Sequence, residues 1–86
     1  DLNTTIDECT LLYDDFYTLP DEAQLIIANM MFNMGRPRLS RFHKMKKAVD
    51  NRDWQEAANQ MQDSKWYNQV TNRAERLCER MRNVSS

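Results

Sequence analysis

Asn29, Asn33, Trp66, Tyr67, Asn68, Gln69 and Asn72 are the residues of this chain best suited to meeting a ligand. Aromatic rings pack on pyranose faces, and side-chain amides both donate to and accept from hydroxyl and acetamido groups. The same residue types also build turns and caps, so residue type leaves a sugar site and local structure both open. The chain has 13 Asp and Glu residues, but that number does not make a glycosidase. Glycoside hydrolysis needs a general acid and a second carboxylate, or a positioned water, held across a cleft. It also needs surroundings that raise the pKa of the acid. No acidic residue here stands in such a context; most suit helix caps and solvated helix faces.

Other chemistries find less support. With one histidine, His43, and two distant cysteines, Cys9 and Cys78, close-spaced metal ligation is not encoded. No Gly-rich phosphate loop and no cofactor motif occurs. Arg36, Arg38, Arg41, Lys44, Lys46 and Lys47 form the densest basic run. Phosphate contacts there would give salt-sensitive polyanion binding, whereas a solvated helix face is the simpler reading. Aromatic residues do not interleave the run as in single-strand binders, so nucleic acid is disfavoured as a partner.

The elements that must position these residues are helices. Only one Gly and two Pro interrupt a chain rich in Met, Leu, Ala, Gln, Lys and Glu, which favours helix over strand. Eighty-six residues make one domain, 1–86, with a modest core. Hydrophobic content of 41% and charged content of 29% fit a soluble globular protein. No stretch approaches the roughly 18 apolar residues of a membrane span, and the acidic amino terminus does not read as a targeting peptide. A bridge between Cys9 and Cys78 and two free core thiols are equally open. Asn3-Thr4-Thr5 and Asn83-Val84-Ser85 match the glycosylation acceptor pattern, which also arises by chance.

Along the chain, residues 1–8 read as an irregular start or a helix end. Leu11, Leu12 and Phe16 then suit a short amphipathic helix that ends before Leu19-Pro20. Pro20, Asp21 and Glu22 suit the first turn of the next helix. The segment from Ala23 to Met34 is apolar nearly all round and reads as a buried central helix. Gly35 stops it, and Arg36 to Arg41 form a connector or single turn. Phe42, Met45 and Val49 mark a further short helix. Asp53 and Glu56 have capping-box spacing ahead of Trp54, Ala57, Ala58 and Met61, which share a face. After a turn over Ser64 to Gln69, Thr71 is placed to cap a last helix whose inward face is Ala74, Leu77, Cys78 and Met81. The six Met residues sit mostly at core spacing and read as core filling. The expected fold is all-α, six or seven short helices around residues 21–34.

Several blocks now acquire a second meaning. Asn29-Met30-Met31-Phe32-Asn33-Met34-Gly35 resembles the Asn-Met-x-Phe-Gln-Met-Gly that closes the central helix of the T-even phage lysozymes. Phe42 matches the aromatic that follows. Trp54-x-Glu56-Ala57-Ala58, Ser64-Lys65-Trp66-Tyr67-Asn68-Gln69 and Asn72-Arg73-Ala74-x-Arg76 match three further family blocks, in order and without insertions. The resemblance covers essentially the whole chain, and it is to the carboxyl-terminal lobe of that family.

The resemblance implies a muramidase, acting on the β-1,4 bond between N-acetylmuramic acid and N-acetylglucosamine in peptidoglycan at the bacterial cell wall. It implies that Phe32, Asn33, Met34 and Gly35 line the carboxyl-lobe wall of the saccharide cleft, with Gln60 and Met61 approaching from the next helix. Trp66 would support the core near the cleft. Arg73 would pair with a catalytic Glu on a complementary amino-terminal lobe, present in cis or in trans. Without that lobe the chain is expected to be inactive, with no catalytic residue of its own. The alternative is a non-catalytic, lysozyme-derived module that binds glycan or protein. Two residues depart from the family pattern. Asn33 replaces a Gln and shortens an amide reach. Lys46 stands where the family has a core-facing apolar residue, which implies altered packing of the helix after Phe42.

Overall fold

The computed structural model describes residues 2–84, with side chains from Thr4 to Val84. Both acceptor triplets reach outside that range, at the Asn3 side chain and at Ser85. The described residues form α1 (Leu2–Leu12), a 3-10 turn (Phe16–Thr18), α2 (Asp21–Leu39), α3 (His43–Asp50), α4 (Trp54–Gln62), α5 (Lys65–Gln69) and α6 (Thr71–Arg82). The fold class is all-α, with no strand among the described residues. Two units share the chain, Asp1–Arg41 and Phe42–Ser86.

In the first unit α1 packs on α2. Thr5, Cys9 and Tyr13 recur every four residues on one side, and all three are buried. The helix starts earlier than the sequence suggests and ends at Leu12, where the Tyr13 amide donates to the Cys9 carbonyl at 2.8 Å. Phe16 therefore lies in the separate 3-10 turn, still buried, and Leu11 is left 65% exposed. The sequence pattern joined residues that the backbone separates, because their apolar spacing is the same on either side of the break.

The Gln24 side-chain amide holds the entry to α2, donating to the Leu19 carbonyl at 2.8 Å. Pro20 precedes the helix, and Asp21 and Glu22 occupy its first turn, where the macrodipole favours negative charge. Ala23, Ile26, Ile27, Met30 and Met31 repeat at helical spacing and are buried. The opposite side is not, for Leu25 is 59% and Phe32 69% exposed. An all-round buried helix was the expectation; α2 is amphipathic by burial even though apolar on both faces.

Gly35 breaks α2 with φ 80° and ψ 163°, a region essentially reserved for glycine. A last turn then resumes, with Pro37 near its start, where a missing amide hydrogen costs nothing. The Ser40 amide donates to the Arg36 carbonyl at 2.8 Å, and buried Leu39 anchors the turn.

In the second unit α3 and α6 pack on α4, and α5 on both α4 and α6. Met45, Ala48 and Val49 form the buried side of α3. Lys46 is half-buried and pairs with Asp50 at 2.9 Å, so α3 keeps its apolar face without a residue from position 46. A Schellman-type ending follows. Arg52 takes φ 60°, its amide donates to the Val49 carbonyl at 2.9 Å, and the Asp53 amide donates to that of Ala48 at 2.8 Å.

That ending explains why only half of the expected capping box forms. An Asp53 carboxylate oxygen accepts from the Glu56 amide at 3.2 Å, as expected. The Asp53 amide is already used, so the Glu56 carboxylate accepts instead from Gln60 at 2.7 Å and Asn59 at 3.4 Å. The expected turn at residues 64–69 contains a helix of one turn, α5, capped by Ser64 Oγ, which accepts from the Tyr67 amide at 3.2 Å. Thr71 is the first helical residue of α6 and not its cap; its hydroxyl donates to the Asn68 carbonyl at 3.2 Å. The inward faces of α4 (Trp54, Ala57, Ala58, Met61) and α6 (Ala74, Leu77, Cys78, Met81) are buried as their spacing implies. Arg82 ties the two helices at the surface, donating to Asn59 Oδ1 at 3.1 Å and Gln62 Oε1 at 2.7 Å.

Cys9 and Cys78 are free, buried thiols, one in each unit. Burial raises both from the ordinary 9.0 to about 11; nearby Glu8 adds to the rise at Cys9, and Arg82 opposes it at Cys78. In the unfolded chain they ionise first, so their contribution to stability is complete below about pH 9 and declines towards pH 11. Urea denaturation at stepped alkaline pH is expected to show that decline, and a Cys9→Ser/Cys78→Ser variant to lose most of it. Gly35→Ala is expected to cost about 1–3 kcal/mol in the same assay. The cause is backbone strain and not crowding, because an added Cβ would meet only Pro37 Cδ, at 3.8 Å.

Candidate functional site: an exposed apolar and amide face

The periodicity that buries one side of α2 presents Leu25, Asn29 and Phe32 on another, beside the buried Ala28. These four residues line a shallow pocket of about 230 Å³. Asn33 lies one residue further on and is exposed; its amide donates to the Asn29 carbonyl at 2.8 Å and to Asn29 Oδ1 at 2.9 Å. The two amides are thus ordered beside the Phe32 ring. Met34 and Gly35 are half-buried at the end of this helical run, where the positive φ of Gly35 turns the chain. A flat aromatic surface next to ordered amides can stack on a sugar ring and bond its substituents.

The remaining sequence-derived residues belong to the second unit. Gln60 is half-buried on α4 and its amide is held by Glu56 at 2.7 Å. Met61 is fully buried beneath it and acts in the core. Trp66, on α5, is 8% exposed, and its indole Nε1 is buried without a hydrogen-bond partner. Arg73 is exposed on the first turn of α6. The structure therefore brings Phe32, Asn33, Met34 and Gly35 together in one unit, and Gln60, Met61, Trp66 and Arg73 onto the packed α4, α5 and α6 of the other.

None of the described carboxylates is buried. Among the described residues no three His, Cys, Asp or Glu side chains group to hold a metal. Among the described residues no helix is long and apolar enough to cross a membrane.

Sequence reasoning placed Leu25 in the buried helix, but it is 59% exposed. Counting the helical period from Ala23 sets positions 25, 29 and 32 apart from the stripe 23, 26, 27, 30 and 31, but both sets carry apolar residues and the period does not say which is covered.

An α-helical chain with this face matches two curated proteins of Dictyostelium discoideum. It is 30% identical over 73 residues to probable T4-type lysozyme 2, which takes in 85% of this chain and 43% of that protein. It is 32% identical over 62 residues to probable T4-type lysozyme 1, taking in 72% of this chain and 36% of that protein. The chain belongs to the T4-type lysozyme family. It spans less than half the length of these relatives. No family model and no solved structure gives a significant match.

Within this lysozyme-family chain, the orphan donor of Trp66 has a measurable consequence. A buried unsatisfied N–H costs about 1–3 kcal/mol. Trp66→Phe removes that cost while retaining much of the packing, so it is expected to lower stability by under about 1.5 kcal/mol. Trp66→Ala leaves a cavity and is expected to cost about 3–5 kcal/mol. Urea unfolding of both variants measures the difference.

Proposed function

We propose that this chain forms one wall of a lysozyme saccharide cleft and takes part in cleaving the β-1,4 bond of peptidoglycan only with a complementary lobe. The carrying observation is the α2 face on which exposed Leu25, Asn29 and Phe32 line a pocket with the buried Ala28, an apolar surface with ordered amides at its edge. That none of the described carboxylates is fully buried supports the second half of the proposal. A general acid with a raised pKa, and the second carboxylate or positioned water opposite it, come from the other lobe.

In this reading Phe32 stacks on a pyranose face, and Asn33 with the backbone at Met34 and Gly35 contacts hydroxyl and acetamido groups. Gln60 supplies an amide, with Met61 and Trp66 fixing the helices beneath. Arg73 acts as a positioning residue, pairing with the Glu of the complementary lobe. That lobe is joined in cis or supplied in trans. The glycan is N-acetylglucosamine alternating with N-acetylmuramic acid, and no cofactor takes part.

The test is dye release from purified labelled peptidoglycan. The 86-residue chain alone is expected to release none, and adding the remaining part of a T4-type lysozyme is expected to produce release. Release by the chain alone contradicts the proposal. The same exposed face also supports a second reading, a non-catalytic glycan- or protein-binding module. Glycan binding that never becomes hydrolysis, whichever complementary lobe is added, favours that module.

A further inference from the structure

Between Glu22 and Asp50 the chain contains no Asp or Glu, and Arg36, Arg38, Arg41, Lys44, Lys46 and Lys47 all fall within that interval. The structure separates one of these from the rest. Lys46 is half-buried and paired with Asp50 at 2.9 Å. Arg36, Arg38, Arg41, Lys44 and Lys47 are exposed, and no ion pair or hydrogen bond of their side chains is found among the described residues.

Local backbone geometry sets these charges in pairs. The Arg41 amide donates to the Arg38 carbonyl at 3.1 Å, so the two residues lie a turn apart, and buried Leu39 fixes that turn. Lys44 and Lys47 have the same spacing on α3 and line a groove of about 260 Å³ with Ala48, Asn51, Asp53 and Glu56. Like charges three residues apart on a helix repel each other. An anion placed against either pair relieves that repulsion. Asp53 and Glu56 border the groove from α4, where they accept the Glu56 amide and the Asn59 and Gln60 side chains, so the cationic edge of the groove is its α3 side.

We infer that the segment from Arg36 to Lys47 is an attachment surface for a flexible linear polyanion carrying phosphate or carboxylate charges on a non-aromatic backbone. Arg38 and Arg41 belong to the first unit, Lys44 and Lys47 to the second. A flexible polymer engages each pair separately, so no fixed arrangement of the two pairs is required. The segment has no run of stacking rings, because Phe42 is half-buried and His43 is its single exposed aromatic ring. Recognition is therefore of repeated charge and not of bases, which separates this partner from single-stranded nucleic acid. It is also independent of the neutral sugar contacts assigned to Phe32 and Asn33.

The test is titration of the full 86-residue chain with inorganic polyphosphate, polygalacturonate and oligothymidylate at about 50 to 200 mM salt. Binding to polyphosphate, polygalacturonate or both is expected, with log K falling linearly as log salt rises; the arm that binds more tightly identifies the charge type. The quadruple variant Arg38→Gln/Arg41→Gln/Lys44→Gln/Lys47→Gln is expected to weaken binding at least about tenfold at the lowest salt and to flatten the salt slope. A Lys65→Gln/Arg76→Gln control, changing exposed cations elsewhere in the second unit, is expected to bind as the parent does. All six positions are at the surface, and a helical circular-dichroism spectrum verifies folding. Neutral chitooligosaccharide binding by the quadruple variant is expected to be unchanged, so this inference and the cleft reading fail separately. Absence of binding to both polyanions at low salt, undiminished binding by the quadruple variant, or preference for oligothymidylate overturns the inference.

Discussion

The functional reading depends on the division of α2 into two apolar faces. One stripe, Ala23, Ile26, Ile27, Met30 and Met31, is buried. The other carries Leu25 and Phe32, which remain mostly exposed. Burying a large apolar side chain stabilises by about 1.5–3 kcal/mol, and Leu25 and Phe32 forgo most of that gain. A helix that needed only to hold this unit together would do better with polar residues there. Exposed apolar residues beside a small pocket and two mutually bonded amides instead make a surface that gains by being covered.

Gly35 gives that surface its end. Its φ of 80° stops the helix one turn after Met31 and lets the backbone leave near Asn33 and Met34. The hydrogen bonds of Asn33 to Asn29 order the amide edge before any ligand arrives. The longer Gln of the family pattern would reach further; here the shorter side chain folds back onto its own helix. In the second unit, small residues at Ala57, Ala58 and Ala74 let α4 and α6 approach closely, and Arg82 closes the edge of that contact. These contacts carry Gln60 and Arg73 on a well-packed scaffold.

Much of this was legible in the sequence. The buried faces of α4 and α6 follow directly from apolar spacing, and Gly35 marks the break in α2. The Asp53 cap was legible as well, but its reciprocal half was not, because Arg52 at positive φ hands the Asp53 amide to Ala48. Thr71 carried a good capping residue type, yet its hydroxyl turns back to Asn68 and leaves the capping position to Val70. Phe16 had the spacing of α1 without being part of it. The exposed side of α2 was hidden for a different reason: apolar residue types on both faces conceal which face is covered, and only three-dimensional packing distinguishes them. The family resemblance rested on blocks of specific residues and not on helical periodicity, and the Dictyostelium lysozymes bear it out.

The central claim is that the amide and aromatic face of α2 holds sugar. Two-dimensional NMR of the 86-residue chain during titration with chitooligosaccharide tests it most directly. The account predicts saturable shifts at the Phe32, Asn33 and Gly35 backbone amides and at the Asn29 and Asn33 side-chain amides, with the buried residues of α1 unmoved. Saturable shifts confined to other surfaces, or none at these positions at saturating sugar, would contradict it.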